Sequence, residues 1–327
     1  MKKILSAVLS GVLVFVALFS FACSKDSAKI KYSNPKAIMQ DLIADELDFG
    51  LLPEPALSNL EKNIGKDFTW ERIDLQELYN KQTKAYPQAV LMVKNSVLND
   101  YPELVDKLKT EISSANDYVK ANKESVINSI RAKFSASSLV ESISDSSIDK
   151  CKIYWEDAIN SKNSVKTYLK DIIDIGVGLG IQPAKSVEDD FFYTPIAPNG
   201  QDYSNKNFTF TVPDGAPALA IGKLIVNPDS LGASSLTVNV VDSNSIVLAF
   251  DNSDFIIAPI NLASKKYSGE YTMVSVITHG NLYLVKKAGT DSKLSGKKIG
   301  VIGEGLVPDL TLRSILKKQV IKVEVIR

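Results

Sequence analysis

The stretch Asp48-Phe-Gly-Leu-Leu-Pro53-Glu-Pro-Ala-Leu-Ser58 has a near copy at Asp254-Phe-Ile-Ile-Ala-Pro259-Ile-Asn-Leu-Ala-Ser264. In both stretches Asp-Phe opens a short apolar run, and a proline ends it. Such a run is typical of a buried strand that leads into a loop. The repeat predicts two similar α/β lobes, with ligands bound where the strands end. Chance similarity between common α/β patterns is the alternative.

The second copy stands within one complete α/β unit. A strand, a Gly/Pro turn with a helix, a second strand and a short helix precede it, at Phe208–Val212, Pro213–Lys223, Leu236–Val241 and Ile246–Phe250. The same parts around the first copy are divided between the chain ends. Near the end lie a strand, a turn, a helix and a strand, at Lys298–Ile302, Gly303–Pro308, Asp309–Lys318 and Ile321–Ile326. At the start lies an amphipathic helix with one apolar face, formed by Ala37, Ile38, Leu42, Ile43 and Leu47.

Composition restricts the function classes. The chain has 327 residues, 45% of them hydrophobic, which suffices for a sizeable core. Lys+Arg and Asp+Glu number 38 each, so nothing indicates a nucleic-acid partner or a polybasic membrane surface. One histidine, His279, and two cysteines, Cys23 and Cys151, are too few for a zinc cluster. We expect Cys151 to be a small core residue, and we expect no metal and no cofactor.

Residues 1–22 have the pattern of an export signal, with Lys2 and Lys3 before an apolar run that ends at Ala22. Cys23 follows directly, which predicts cleavage after residue 22 and lipidation of Cys23. Residues 23–29 would then link the protein to a bacterial membrane, facing the periplasm or the exterior. Ser20 is a departure, because such sites usually carry Leu there. A transmembrane anchor is the alternative, but no charged stop follows the run.

Two glycine turns follow predicted strands and open predicted helices. One contains Gly303 and Gly305, and the other contains Asp214, Gly215 and Ala216. Glycine lets a backbone approach a ligand closely, and the free N–H groups of a helix start bind polar or anionic groups. The spacing does not match the dinucleotide fingerprint. A tight turn with a capped helix is the alternative at each place.

Eight motifs together resemble a known family: Asp214–Leu219, Ala258–Ala263, His279–Tyr283, Gly303–Asp309, Leu52–Leu57, Tyr86–Val93, Tyr101–Leu108 and Asp189–Tyr193. They look like the solute-binding lipoproteins of ABC importers, in the nitrate/sulfonate/taurine group that also includes binders of thiamine-pyrimidine precursors. The resemblance covers nearly everything after residue 30. It implies a monomer that captures a small polar solute and delivers it to an ABC permease and ATPase complex.

The order of these motifs departs from the family. The segment Asp189–Tyr193 resembles the family's usual ending, yet here a Pro/Gly-rich linker at about 194–206 and the family's opening strand follow it. The resemblance and the internal repeat both indicate a circular permutation, with the break between Arg327 and about Ile30. Natural rearrangement, engineering and a misassembled gene are all compatible with this order.

The expected fold class is α/β, a two-lobed periplasmic-binding-protein-like fold of type II, with a mostly parallel sheet and flanking helices in each lobe. One lobe is expected to contain residues 85–288, and the other residues 30–84 and 289–327. Crossovers between the lobes are expected near Val285–Thr290 and Lys81–Pro87.

The proposed solute site has two walls. One wall is formed by Asp214, Gly215, Ala216, Asn261, His279, Gly280 and Asn281. The other is formed by Gly303, Gly305, Val307, Asp309, Glu54 and Pro55. The glycines present backbone N–H groups, the asparagines orient the ligand, and the carboxylates favour a ligand with N–H or hydroxyl donors.

Structural roles are the alternative for several of these residues. His279 is also explained as a packed or capping histidine, and Asp214 and Asn261 as caps. Glu54, between two prolines after a buried strand, is the hardest to explain structurally.

The second function class is an enzyme of pyrimidine-precursor synthesis on the same scaffold. No motif supports a Cys–His nucleophile.

Overall fold

The computed structural model describes residue 32 and residues 34–63, 67–79, 85–140, 143–303, 305–318 and 324–326. The predicted export signal, Cys23 and the linker at 23–29 lie outside the described residues. Strands form at β1 (Phe49–Pro53), β2 (Trp70–Asp74), β3 (Pro87–Lys94), β4 (Ile153–Asp157), β5 (Asn207–Pro213), β6 (Ser235–Val241), β7 (Phe255–Pro259), β8 (Tyr271–His279), β9 (Leu282–Lys287), β10 (Lys298–Gly300) and β11 (Glu324–Ile326).

Helices of the described residues connect these strands. The α-helices are α1 (Pro35–Ile43), α2 (Ala56–Asn63), α3 (Leu75–Tyr79), α4 (Asn95–Asp100), α5 (Glu103–Ser113), α6 (Ala115–Ala121), α7 (Lys123–Lys133), α8 (Asp145–Lys150), α9 (Ala158–Leu179), α10 (Ala216–Ala220), α11 (Gly222–Val226), α12 (Ile260–Lys266) and α13 (Val307–Lys318). Short 3₁₀ helices occupy Asp189–Phe191, Pro228–Leu231 and Ser245–Asp251. Among the described helices, none combines the length and apolar character that crossing a membrane requires.

The repeated stretches form strands with the same burial. In both β1 and β7 the first four residues are buried and the closing proline is partly exposed. Each strand pairs with a parallel neighbour on one side and an antiparallel neighbour on the other. The buried strand predicted from each apolar run is therefore confirmed.

The two sheets repeat one arrangement. The five-stranded sheet has the order β11-β10-β1-β9-β2, and the six-stranded sheet contains β6-β5-β7-β3-β8 with β4 at its edge. In both, three parallel strands are followed by a reversed strand, β9 or β3, and then by a strand in the first direction. Most strands of each sheet point the same way, although the reversed strands make their ladders antiparallel. The α/β class with two sheets is confirmed.

The chain enters these sheets in different orders. The parallel strands β5, β6 and β7 follow one another in the sequence, whereas β10 and β11 come from the end of the chain and β1 from its start. Tyr32 belongs to an apolar cluster against which Ile326 also packs. The first and last described segments of the chain therefore lie in the same region.

One predicted crossover is wrong. The strand β9 lies in the five-stranded sheet, so the chain passes from one sheet to the other at Gly280 and Asn281, not near Val285–Thr290. The cause is that β9 continues the apolar run of β8 with only these two residues between them. At the other predicted crossover, β2 of the five-stranded sheet ends at Asp74, α3 follows and ends at Tyr79, and β3 begins at Pro87 in the six-stranded sheet.

The first helix is shorter than its apolar periodicity predicts. It ends at Ile43, because Asp45 adopts a left-handed backbone with φ 59°. Leu47 is buried but lies beyond the helix. The larger apolar core includes residues of both sheets, such as Leu51 of β1 and Ile256 of β7, and a second cluster contains Tyr32 and Leu52.

Candidate functional site

Glu54 is buried directly after β1, with 2% of its surface exposed. Its Oε1 accepts a hydrogen bond from the Ser58 hydroxyl at 2.8 Å and forms an ion pair with Arg72. Its Oε2 accepts the Ser58 N–H at 3.2 Å and the Ser147 hydroxyl at 3.1 Å. Ser58 lies in the first turn of α2, whereas Ser147 lies in α8, far away in sequence. Both carboxylate oxygens therefore have hydrogen-bond donors, and one of these donors, Ser147, is distant in sequence.

Arg72 holds two carboxylates together. It extends from β2 and forms ion pairs with Glu54 and Glu61. Burial lowers the pKa of Arg72, but the bonds to Glu61 and Glu54 outweigh it, so the pKa lies above its ordinary value. The charge of Glu54 is thus compensated inside the protein.

Asp214 follows β5 and binds two serines that lie beyond α7. Its Oδ1 accepts the Ser137 hydroxyl at 2.5 Å. Its Oδ2 accepts the Ser138 N–H at 2.9 Å and the Ser138 hydroxyl at 3.2 Å. The predicted alternative, a carboxylate that caps its own helix, does not describe these bonds.

The same stretch of chain reaches both predicted walls. We call the described residues 137–140 and 143–152 the bridging segment. It binds Asp214 through Ser137 and Ser138, and its Ser138 carbonyl accepts the Asn59 amide at 3.1 Å. Further along the segment, the Ser147 hydroxyl donates to Glu54. The Lys150 carbonyl accepts the Tyr283 hydroxyl at 3.1 Å. Lys152 forms an ion pair with Asp74. Asn59, Tyr283 and Asp74 all belong to the five-stranded sheet or its helices.

In each of the two asparagines of the predicted site, the side-chain nitrogen has a hydrogen-bond partner among the described residues and the side-chain oxygen does not. Asn281 donates its amide to the Glu54 carbonyl at 3.0 Å, and Asn261 donates to the Pro183 carbonyl at 3.3 Å. The Oδ1 atoms of both residues are buried and have no hydrogen-bond partner within the described part of the chain. These oxygens are acceptors available to a donor group.

The glycine turns differ in the space around them. Gly215 has φ 91° with open space where a Cβ would stand, and it precedes the buried Ala216. Gly303 and Gly305 also have positive φ, but a Cβ at Gly305 would lie 2.6 Å from Ile181 Cδ1. Gly280, at the crossover, is backed by the Tyr86 ring, 2.5 Å from where a Cβ would stand. Among these described glycines of the predicted site, Gly215 leaves free space beside its backbone, whereas Gly280, Gly303 and Gly305 do not.

The turn that contains Gly303 and Gly305 is bound by the helix that follows it, α13. The buried Asp309 accepts the Gly305 N–H at 3.0 Å and the Arg313 Nε–H at 2.7 Å. Val307 is also buried, at 8% exposure. Pro55, buried after Glu54, accepts the Asn59 N–H through its carbonyl at 3.3 Å. Asp309 and Pro55 thus have hydrogen-bond partners within the protein, and Val307 is packed in its interior.

His279 and Cys151 have separate partners. The ring of His279 is buried, stacks on Tyr154 at 3.6 Å and lies 3.2 Å from Glu156 Oε2. The Cys151 thiol donates to the Ser147 carbonyl at 3.3 Å, and burial raises its pKa well above the ordinary value, with Glu54 adding to the shift. A protonated thiol of this kind is a poor nucleophile. The packed role weighed for His279 and the core role of Cys151 agree with this arrangement.

Two surface cavities lie at other residues. One, of about 200 Å³, is bordered by α5, the start of α9 and the linker, and includes Glu103, Lys109 and Ile196. The other, of about 340 Å³, is shallow and is bordered by Tyr154, Trp155, Glu156, Asp157 and Asn160. Within the described residues, no group of His, Cys, Asp and Glu side chains has an arrangement suited to a metal ion.

Sequence reasoning missed the groups that bind the two carboxylates. Arg72, Asn59 and the serines of the bridging segment were not among the predicted site residues. The only signal was the serine-rich composition between α7 and β4, together with a single arginine in the alternating strand β2. Neither signal indicates which distant carboxylate it meets.

Comparison with known proteins gives partial structural similarities. No family model matches the chain, and no curated protein sequence matches it. Nickel-binding NikA of Staphylococcus aureus, solved with Ni(L-His)2, is 8% identical, with a TM-score of 0.33 over 76% of this chain and 55% of that one. The ABC transporter substrate-binding protein CtaP of Listeria monocytogenes is 9% identical, with a TM-score of 0.34 over 85% and 58%.

A third solved structure is the oligopeptide-binding protein AppA of Bacillus subtilis with a nonapeptide, 11% identical, with a TM-score of 0.29 over 84% of this chain and 56% of that one. The chain thus spans a little over half the length of these three substrate-binding proteins. At such TM-scores the similarity is coarse, and nickel or peptide binding is a property of those proteins.

Proposed function

We propose that the chain is the extracytoplasmic solute-binding component of an ABC importer, and that it captures a small polar organic solute between its two sheets. The observation that carries the proposal is that Asp214, which follows β5 of the six-stranded sheet, and Glu54, which follows β1 of the five-stranded sheet, bind one segment of chain. Ligands of open α/β sheets bind outside the carboxyl ends of the strands. The family resemblance of the sequence motifs gives the same site.

The proposed site residues are those of the two predicted walls, with unequal roles. On one wall Asp214, Gly215, Asn261 and Asn281 offer acceptors or free backbone. On the other wall Glu54 offers its carboxylate. The turn at Gly303 and Gly305, with Val307 and Asp309, supports the second wall. We do not propose catalysis, because the buried Cys151 and His279 have separate partners.

The proposed partners follow from the same role. An ABC permease and ATPase complex would receive the solute, and Cys23 would carry a lipid that holds the protein at a bacterial membrane. Within the family that the sequence motifs resemble, we propose the nitrate/sulfonate/taurine group as the branch to which this chain belongs.

We further propose that the chain is a circularly permuted member of that group. The matching sheet orders support this, since β10 and β11 stand to β1 as β5 and β6 stand to β7. Tyr32 and Ile326 meet in one apolar cluster, which supports a break between the chain ends. The linker at 194–206 would join the former termini, and it is irregular throughout. Permutation is tolerated where old termini are close and new ones lie at the surface.

A thermal-shift screen tests the proposed function. The purified full chain is heated with nitrate, alkanesulfonates, taurine, pyrimidines and riboflavin-like compounds. A ligand at 100 times its Kd stabilises the folded state by about 2.7 kcal/mol, which raises Tm by several degrees. Asn261→Ala should reduce the shift, whereas Asn252→Ala, at an exposed position, should not. A cooperative melt that no compound shifts contradicts the proposal.

A further inference from the structure

We infer that the bridging segment, described residues 137–140 and 143–152, occupies the proposed site in the unliganded protein, and that a ligand binds by displacing its serine donors. The inference rests on the proposed function, and it adds how the site is regulated and which ligand chemistry fits it. The ligand class is a small molecule rich in hydroxyl or amide N–H donors.

The segment satisfies the two carboxylates as a ligand would. Three donors of Ser137 and Ser138 bind both oxygens of Asp214, and the Ser147 hydroxyl binds Glu54 at 3.1 Å. The segment also contacts α2 and β9 of the five-stranded sheet, through Asn59 and Tyr283, while Asp214 follows β5 of the six-stranded sheet. A group that bridges both walls holds them together, which is how a solute stabilises a closed two-lobed protein.

The two ends of the segment are held to different degrees. Ser138 is exposed, whereas Leu139 beside it and Ile143 are buried apolar anchors, at 1% and 3% exposure. Ser147 is fully buried, so its bond to Glu54 is shielded from water. A ligand therefore exchanges first with the exposed donors at Asp214. Access to Glu54 requires α8 to move away from it.

The chemistry of the walls selects donors over anions. Carboxylates only accept hydrogen bonds, and the buried Oδ1 atoms of Asn261 and Asn281 are further acceptors without a partner in the described part of the chain. The cation that pairs with Glu54, Arg72, also pairs with Glu61. An inorganic anion would face uncompensated negative charge at Asp214, whereas hydroxyl or amide N–H groups reproduce the bonds of the serines.

The test compares two variants of the full chain. Ser137→Ala/Ser147→Ala removes one segment donor from each carboxylate and leaves the proposed walls intact. Ser146→Ala, an exposed neighbour, is the matched control. The probes are myo-inositol and diglycine as donor-rich molecules, and nitrate and methanesulfonate as anions, titrated by calorimetry. We expect a donor-rich probe to bind the double variant about tenfold more tightly than the wild type, which corresponds to about 1.4 kcal/mol, and to bind Ser146→Ala unchanged.

The outcomes separate this inference from the proposed function. Binding that is equal or weaker in the double variant overturns the inference and leaves the proposed function standing. Binding of the anions alone does the same. If no probe and no compound of the thermal-shift screen binds the wild type, both fail. Should the double variant not fold, hydrogen exchange at the Ser138 amide of the wild type decides: a bound donor-rich probe should accelerate it at least tenfold, and unchanged or slower exchange overturns the inference.

Discussion

The Ser138 N–H lies 2.9 Å from Asp214 Oδ2, and the carbonyl of the same serine accepts the Asn59 amide at 3.1 Å. Asp214 follows a strand of the six-stranded sheet, and Asn59 lies on the helix after a strand of the five-stranded sheet. A single residue of a third segment thus joins the end of β5 to the helix that follows β1. These polar groups hold parts of both sheets together, and in our proposal Asp214 also binds the solute.

The ion pair between Glu54 and Arg72 should matter for stability. Glu54→Ala leaves Arg72 with one carboxylate and leaves the buried Ser147 hydroxyl without its acceptor, so we expect a loss of about 3 kcal/mol in the free energy of unfolding. Urea denaturation measures it. The control is Glu61→Ala, which removes the other, more exposed partner of Arg72 and should cost less. Equal losses for the two variants would contradict the central position of Glu54.

The close contact between α1 and β1 predicts intolerance of side chains at Gly50. A Cβ there would lie 2.5 Å from Ile38 Cγ2 and 2.9 Å from Leu42 Cδ1. Gly50→Ala should therefore destabilise the protein by about 1–3 kcal/mol. Gly178→Ala is the matched control, because it has open space within α9 and should be neutral or stabilising by up to about 1 kcal/mol. Thermal melts of both variants compare them, and a neutral Gly50→Ala would refute this packing.

Asp189 should titrate at unusually low pH. Hydrogen bonds from Lys162 and then Lys166 lower its pKa from 3.8 to about 2. Because the folded pKa is depressed, the stabilisation is present above about pH 4 and is lost as pH falls from about 4 towards about 2. Carbon-detected NMR of the side-chain carboxyl follows the titration. In Lys162→Ala/Lys166→Ala the pKa should return towards 3.8, and an unchanged pKa would rule out these bonds as its cause.

Lipidation of Cys23 remains a prediction from the sequence. Metabolic labelling with a palmitate analogue should mark the wild-type chain and not Cys23→Ala. Cys151→Ala is the control and should keep the label, because Cys151 is buried in the core. Absence of label in the wild type, or equal label in Cys23→Ala, would exclude the anchor.

The strands of the two repeated units were predictable because each of them carries its own signal. The apolar runs of β1 and β7 need burial on both faces, and the alternation in β6 has the period of a half-buried strand. The crossover at Gly280 and the end of α1 were missed because apolar residues continue past both places. The periodicity of apolar residues does not indicate that the backbone of Asp45 adopts a left-handed conformation, or that β9 pairs in the other sheet.

The sequence indicated the two carboxylates of the proposed site but not their partners. Glu54 stands out between two prolines after a buried strand, and Asp214 belongs to a glycine turn that opens a helix. Their actual partners, Ser138 and Ser147, are brought there by tertiary packing of Leu139 and Ile143 into the core. No local spacing encodes such a long-range meeting.

The most direct measurement is a crystal structure of the chain with the compound that gives the largest thermal shift. We predict density for the compound between Asp214 and Glu54, with both carboxylates accepting its hydroxyl or amide N–H groups and with Ser138 displaced from Asp214. Density instead in the surface cavity beside Glu103 and Ile196, with Ser138 still bound to Asp214, would contradict an interlobe solute site.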